Sequence, residues 1–310
     1  MQNLIFIGDV HGRNDKLTSF IRLHQANDSQ FVFVGDLIDN SLDEQTDHLS
    51  SLQTVRHLCE TGEAVCLMGN HELNAIGWSL RKADGSYCRS RTKLSNQKQH
   101  RNFLEAVVGD SEEHQYWIEW FKTLPLFADF ENVRAIHACW DDQFIEQITR
   151  YLNSDYSLKP EYWYQAFDEQ YELCHLMDAL LKGPELDLPD GYHFFDKTVI
   201  MRKQIRIAWW HEPVDGLTYR DIALLPEDAR HQIPHSPIPQ SANQQFKVTD
   251  KLTIVGHYTL APTEQHDPIG HNVVCVDYNA AKSHHPLVGY HLDLDSKMGH
   301  FVTSSTVSES

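Results

Sequence analysis

The chain has 310 residues, enough for one large domain or two modest ones with a full core. Its net charge of -18 argues against general coating of nucleic acid, which needs a basic surface. Its six cysteines form no C-x-x-C pair and several lie in apolar runs, so they read as reduced thiols of a cytoplasmic protein.

No basic, apolar leader precedes the first strand, and no apolar run nears the ~20 residues of a membrane span. The first apolar run, Leu4 to Ile7, is followed by Gly8-Asp9-Val10-His11-Gly12. Asn14 or Asp15 can then cap a helix with Leu17, Phe20, Ile21 and His24 on one face. Phe31 to Val34 leads into Gly35-Asp36-Leu37-Ile38-Asp39, a βαβ unit that predicts parallel strands. A second helix is predicted from about Asp43 to Thr61, stopped by Gly62. Ala64 to Met68 then delivers Gly69-Asn70-His71-Glu72. Three strands thus end in glycine plus a ligand-type residue, one βα unit (roughly 30 residues) apart.

Ser79 to Gln99 is polar and basic, with Arg81, Lys82, Arg89, Arg91, Lys93 and Lys98, and reads as a solvated loop for most of these charges, with one or two of them facing a phosphate as the sharper reading. Asn96, Gln99 and His100 form a polar cluster in or beside it. Helices follow around Phe103 to Val107 and Tyr116 to Phe121. Val133 to Ile136 is a strand ending on His137. Asp141 to about Lys182 has helical, aromatic periodicity, and Gly183 to Gly191 reads as a loop. Ile205 to Trp210 is a short apolar segment beside Arg206, and Pro226 to Ser241 an exposed loop. Leu252 to Val255 ends in Gly256-His257. Val273 to Val276, ending in Asp277, and Leu287 to Leu292 look like an antiparallel run, and residues 304–310 like a disordered tail.

Asp9, His11, Asp36, Asn70, His137 and His257 are oxygen and nitrogen donors at strand ends. That set suits two divalent ions sharing one carboxylate, with Asp36 as the natural bridge. The absence of thiolates favours Mn, Fe or Zn. His71, next to Asn70, is placed to protonate a leaving oxygen, oriented by Asp39.

The combined pattern D-x-H, G-D-x-x-D, G-N-H-E, H-A and G-H resembles the calcineurin-like metallophosphoesterases. The resemblance is closest to the phosphoprotein-phosphatase-like branch, with its bacterial serine/threonine phosphatases and symmetrical diadenosine tetraphosphatases. It covers about residues 1–140 and 250–292. It implies an α/β (α+β) fold: a four-layer β-sandwich flanked by helices, here one domain over 1–303 with insertions at about 79–123 and 141–200. It implies Asp9, His11 and Asp36 on one metal, and Asp36, Asn70, His137 and His257 on the other, most readily Mn2+. His71 and Asp39 become the proton-donor pair.

The family usually reads G-D-x-x-D-R-G, and its arginine binds phosphate; Asn40 stands there instead. Arg81, Arg91 and Arg206 are the candidate substitutes in substrate binding, and Asn40 itself can donate a hydrogen bond there. The expected activity is hydrolysis of a phosphomonoester, on a phosphoprotein or small metabolite, by a hydroxide bridging the metals. The alternatives are a dinucleoside polyphosphate hydrolase and a catalytically silent metal- or phosphate-binding module. No membrane or non-specific nucleic-acid partner is expected.

Overall fold

A computed structural model describes residues 3–26, 28–39, 45–195, 201–211, 216–225, 227–239, 250–263 and 265–305. Asn40, the expected helix start at Asp43, and residues 306–310 of the tail lie outside the described residues.

The chain opens with β1 (Asn3–Ile7), α1 (Asn14–His24), β2 (Ser29–Phe33), α2 (His48–Glu60), β3 (Ala64–Cys66) and α3 (Asn70–Ser79). Two helices follow, α4 (Leu94–Val107) and α5 (Glu112–Phe121), then β4 (Phe127–Asp129) and β5 (Val133–Ile136). A long excursion carries α6 (Asp142–Thr149), α7 (Glu172–Lys182), β6 (Glu185–Asp187), β7 (Phe194–Phe195), β8 (Met201–Arg202), β9 (Gln204–Arg206) and α8 (Tyr219–Ile222). The last strands are β10 (Leu252–Val255), β11 (Val273–Cys275), β12 (Val288–Asp293) and β13 (Gly299–Thr303).

Two sheets face each other, one in the order β13-β12-β1-β2-β3 and one in the order β11-β10-β5-β4. Strand alternation sorts the side chains. Leu4 and Phe6 of β1 and Val32 of β2 meet Val133, Ala135, Ile254 and Val274 between the sheets. Ile5, Phe33, Ile136 and Cys275 turn the other way and join Leu17, Phe20, Leu52, Leu176 and Leu180 of the helices. The result is the expected four-layer sandwich. No described helix is long and apolar enough to cross a membrane.

As expected, β1, β2 and β3 are parallel. Other local expectations change where a tertiary partner intervenes. Asp15 does not cap α1, because both its oxygens accept from buried Arg13, Nε at 2.9 Å and Nη2 at 2.8 Å. The second helix begins only at His48, capped by Asp47, which accepts from the Ser50 N–H at 3.0 Å. The expected loop 183–191 holds β6, paired antiparallel with β9. The Val273 run is not antiparallel to its successor: β11 runs parallel to β10, and β12 crosses to the other sheet beside β1. Alternation shows that a segment is a strand but not which strand it joins. In the expected loop 226–241, Ile233 is buried in a small separate core with Leu186, Ile205, Ile207 and Ile222.

Two buried histidines, His48 and His114, are each expected to cost stability in acid. His114 Nδ1 accepts from the Asp110 N–H at 3.0 Å, and neither ring nitrogen of His48 has a hydrogen-bond partner among the described residues. Burial pushes both imidazoles down from 6.5 to about 4, helped for His114 by nearby His100. The unfolded chain therefore binds more protons between about pH 6.5 and 4. The contribution of these two rings is complete above that window and is lost as pH drops through it. His114→Gln is expected to remove part of that loss, on the order of 1 kcal/mol at pH 4.5. Urea titrations at pH 7.5 and 4.5 measure it; an equal loss in both chains would count against this assignment.

Candidate active site

The carboxyl ends of β1, β2, β3 and β10 open on one cavity of about 590 Å³, whose lining includes Asp9, His11, Asp36, Asn70, His71 and His257. The glycine before each ligand-type residue is there for close approach. A Cβ on Gly69 would overlap the Asp36 backbone and carboxylate, and one on Gly256 would overlap the Asp9 carboxylate. Side chains from separate strands meet only because these turns lack Cβ atoms. His11, Asp36, Asp39 and His257 all have positive φ, at 48°, 54°, 65° and 68°. Such conformations cost about 1–3 kcal/mol each and gather at functional sites.

The donors form two groups that share Asp36. One atom from each of His11, Asp36 and His71 lies within 4.8 Å of the others, and the same holds for Asp36, His137 and His257. His137 is wholly buried; its Nδ1 bonds the Val34 carbonyl at 2.8 Å. That bond places the proton on Nδ1 of the neutral ring. Nε2 then turns a lone pair toward Asn70 Oδ1 at 3.1 Å and Asp36 Oδ1 at 3.4 Å. His11 repeats the device: Nδ1 bonds the Ile38 carbonyl at 2.8 Å, and Nε2 stands 3.9 Å from Asp9 Oδ2. Asp36 Oδ1 accepts from the His71 N–H at 2.9 Å and both Asp9 oxygens from the His257 N–H at 3.2 Å, yet the imidazole and carboxylate lone pairs still converge on one space, and this O/N donor set fits a divalent ion. Asp9 shows the same need: burial, then the charges of Asp277 and Asp36, push its carboxyl well above the usual range. The Asp277 oxygens accept from the Thr259 and Asn279 N–H groups, so this carboxylate ties the turn after β10 to the turn after β11.

His71, a member of the first donor group, also faces Asp39. Its Nδ1 lies 3.3 Å from Asp39 Oδ2, and its Nε2 lies 3.7 Å from Asp36 Oδ2 and 3.4 Å from Gln99 Nε2. Burial disfavours the imidazolium, but the charges of Asp36 and Asp39 outweigh it and hold the pKa up at about 9. Asp39 Oδ2 also meets His100 Nδ1 at 2.9 Å. Burial raises the Asp39 carboxyl, and the His100 and His71 contacts more than reverse it, leaving it below the ordinary value.

Glu72, given no role from sequence, ties the turns together. Its Oε1 accepts from the Leu37 N–H at 2.8 Å; its Oε2 accepts from the Asp36 N–H at 2.9 Å and the Gly69 N–H at 3.0 Å. Burial and the Asp36 charge push its carboxyl up to about 7.

The proposed arginines part company. Arg206 lines the cavity, with Nη1 2.9 Å from His257 Nε2 and Nη2 3.6 Å from Glu185. Arg81 is exposed over the Tyr87 ring, apart from the cavity lining. Asn74, Arg89, Asn96 and Gln99 line the cavity instead. A signal for part of this was available: Asn96, His100, Phe103 and Val107 are the buried stripe of α4, a helical period that starts before its apolar members.

The calcineurin-like phosphoesterase family model matches residues 3–280. No curated protein matches the sequence. Among solved structures, a serine/threonine phosphatase from Saccharomyces cerevisiae is 12% identical, with TM-score 0.48 over 100% of this chain and 81% of that one. A hypothetical protein from Pyrococcus horikoshii OT3 is 10% identical, with TM-score 0.48 over 100% and 90%. A provisionally assigned diadenosine tetraphosphatase is 16% identical, with TM-score 0.45 over 97% and 93%. The match along residues 3–280 spans nearly the whole chain, and the chain belongs to the calcineurin-like phosphoesterases, a family of metal-dependent hydrolases.

Proposed function

We propose that the chain hydrolyses phosphomonoesters at a dinuclear centre held by Asp9, His11, Asp36, Asn70, His137 and His257. The observation that carries this is the shared position of Asp36 between two donor groups, one of which includes His71, itself paired with Asp39. When bound, divalent ions supply Lewis-acid polarisation of the phosphoryl group and ionise water near neutral pH. Asp39 holds Nδ1 of His71, which leaves Nε2 to deliver a proton to the departing oxygen. Manganese is the proposed ion, and the six free thiols support a reducing, cytoplasmic setting.

The test is initial rates of metal-stripped chain reloaded with manganese, on p-nitrophenyl phosphate, alkyl phosphates, phosphopeptides and diadenosine tetraphosphate. His71→Asn is expected to lower kcat on alkyl phosphates by about 10²–10⁴-fold and on p-nitrophenyl phosphate by much less, because nitrophenolate leaves without a proton. Equal losses on both substrates would remove His71 from the acid role. A second reading, hydrolysis of a dinucleoside polyphosphate, is favoured by cations from two separate segments. Arg89 and Lys93 come from one, and Lys182, Arg202 and Arg206 from the other. Preference for diadenosine tetraphosphate would establish it. Absence of turnover on every ester with metal bound would leave a silent binding module.

A further inference from the structure

Arg89 lies in the segment between α3 and α4. Its backbone N–H donates to the Gly77 carbonyl at 2.9 Å, which fixes where the side chain starts. Its guanidinium then enters the cavity lined by Asp36 and His71. There Nη1 donates to Asn74 Oδ1 at 2.6 Å and Nη2 donates to Gln99 Oε1. Asn74 is one helical turn beyond Asn70 on α3, and Gln99 lies on α4 with its amide nitrogen 3.4 Å from His71 Nε2. Both partners are neutral amides. They orient the guanidinium without cancelling its charge, and it makes no ion pair among the described residues. Its Nε is buried without a partner among the described residues.

The neighbouring arginines differ. Arg91 is neutralised by Asp110 through two bonds of 2.8 Å and lies over the Tyr87 ring at 3.6 Å. Arg206 shares a buried Nε without a partner among the described residues, but it differs in standing 3.6 Å from Glu185. Asp39 and Asp178 act on the Arg89 charge only from beyond ion-pair distance; a half-buried cation without a contacting carboxylate is costly unless an anion joins it, and a guanidinium fork matches phosphate geometry. The sequence also has asparagine at position 40, so no arginine serves from that turn.

We infer that Arg89, oriented by Asn74 and Gln99 beside His71, binds a phosphoryl oxygen of the substrate. This rests on the phosphoesterase function proposed above and names the substrate-binding residue on the His71 side of the site.

Two measurements on the full chain loaded with manganese test it: calorimetric binding of inorganic phosphate, and the KM for p-nitrophenyl phosphate. Arg89→Met is expected to weaken phosphate binding by about 10–100-fold and to raise KM in proportion. Arg89→Lys keeps charge but loses the fork, and falls between. Gln99→Glu leaves the arginine intact and supplies an internal carboxylate, so phosphate binding again weakens by about 10-fold. Metal content and melting temperature are measured for each. If Arg89→Met fails to fold, Arg89→Lys and Gln99→Glu still decide. Phosphate affinity unchanged in the folded variants, with an active parent chain, overturns the role of Arg89 and leaves the phosphoesterase function standing. An inactive parent chain that binds phosphate through Arg89 overturns the esterase function and keeps the anion site. A parent chain that binds no phosphate overturns the inference.

Discussion

Asp36→Asn is expected to reduce turnover on the order of 10³-fold or more while the chain stays folded. Asp36 lies between the two donor groups, and its Oδ1 also accepts from the His71 N–H at 2.9 Å. Asparagine has the same size and can keep that backbone bond. It loses the charge and replaces the second oxygen with an amide that cannot ligate. On the proposed dinuclear role, both ions lose a shared ligand, worth several kcal/mol of transition-state stabilisation. Metal analysis by mass spectrometry should show fewer than two bound ions, with circular dichroism unchanged. Activity within tenfold of the parent, at full metal loading, would deny Asp36 the bridging position.

Glu72→Ala should produce the largest stability loss at the site. Glu72 is fully buried and accepts three backbone N–H groups from two turns, those of Asp36, Leu37 and Gly69. Alanine leaves all three donors buried and unsatisfied, at about 1–3 kcal/mol each. Partial relaxation and relief of the crowded carboxylates reduce the sum, so a loss of about 4 kcal/mol is expected, or about 10 °C in melting temperature. Activity should fall with it, since these turns aim Asp36 and Asn70. Glu72→Gln restores one acceptor and should recover part of the loss. A melting shift under about 2 °C for Glu72→Ala would show that these bonds are not what holds the turns.

These expectations stand at different distances from the sequence. Asp36 is visible as the middle member of a repeated pattern, an apolar strand, glycine, then a ligand-type residue. The pattern is local because a parallel strand must present its next residues at the sheet's edge, and because Gly69 and Gly256 leave no room for a Cβ. Glu72 is visible only as a residue of the motif. Its work is to receive N–H groups 35 and 36 positions away, and no local pattern encodes that.

The sequence by itself determined the βα units at the start, the strand ends, and six O/N donors whose chemistry suits a divalent centre. It could not determine strand partners: the Val273 run pairs in parallel with β10, and the Val288 run leaves for the other sheet. It could not tell which of several arginines would be left without a counter-ion. Arg81, Arg89, Arg91 and Arg206 look alike as cations in a chain. Only packing decides that Arg91 meets Asp110, that Arg206 meets Glu185 and His257, and that Arg89 meets two amides. The physical reason is range. Hydrophobic period and backbone conformation act over a few residues, while a charge is satisfied by whatever the fold brings within about 4 Å of it.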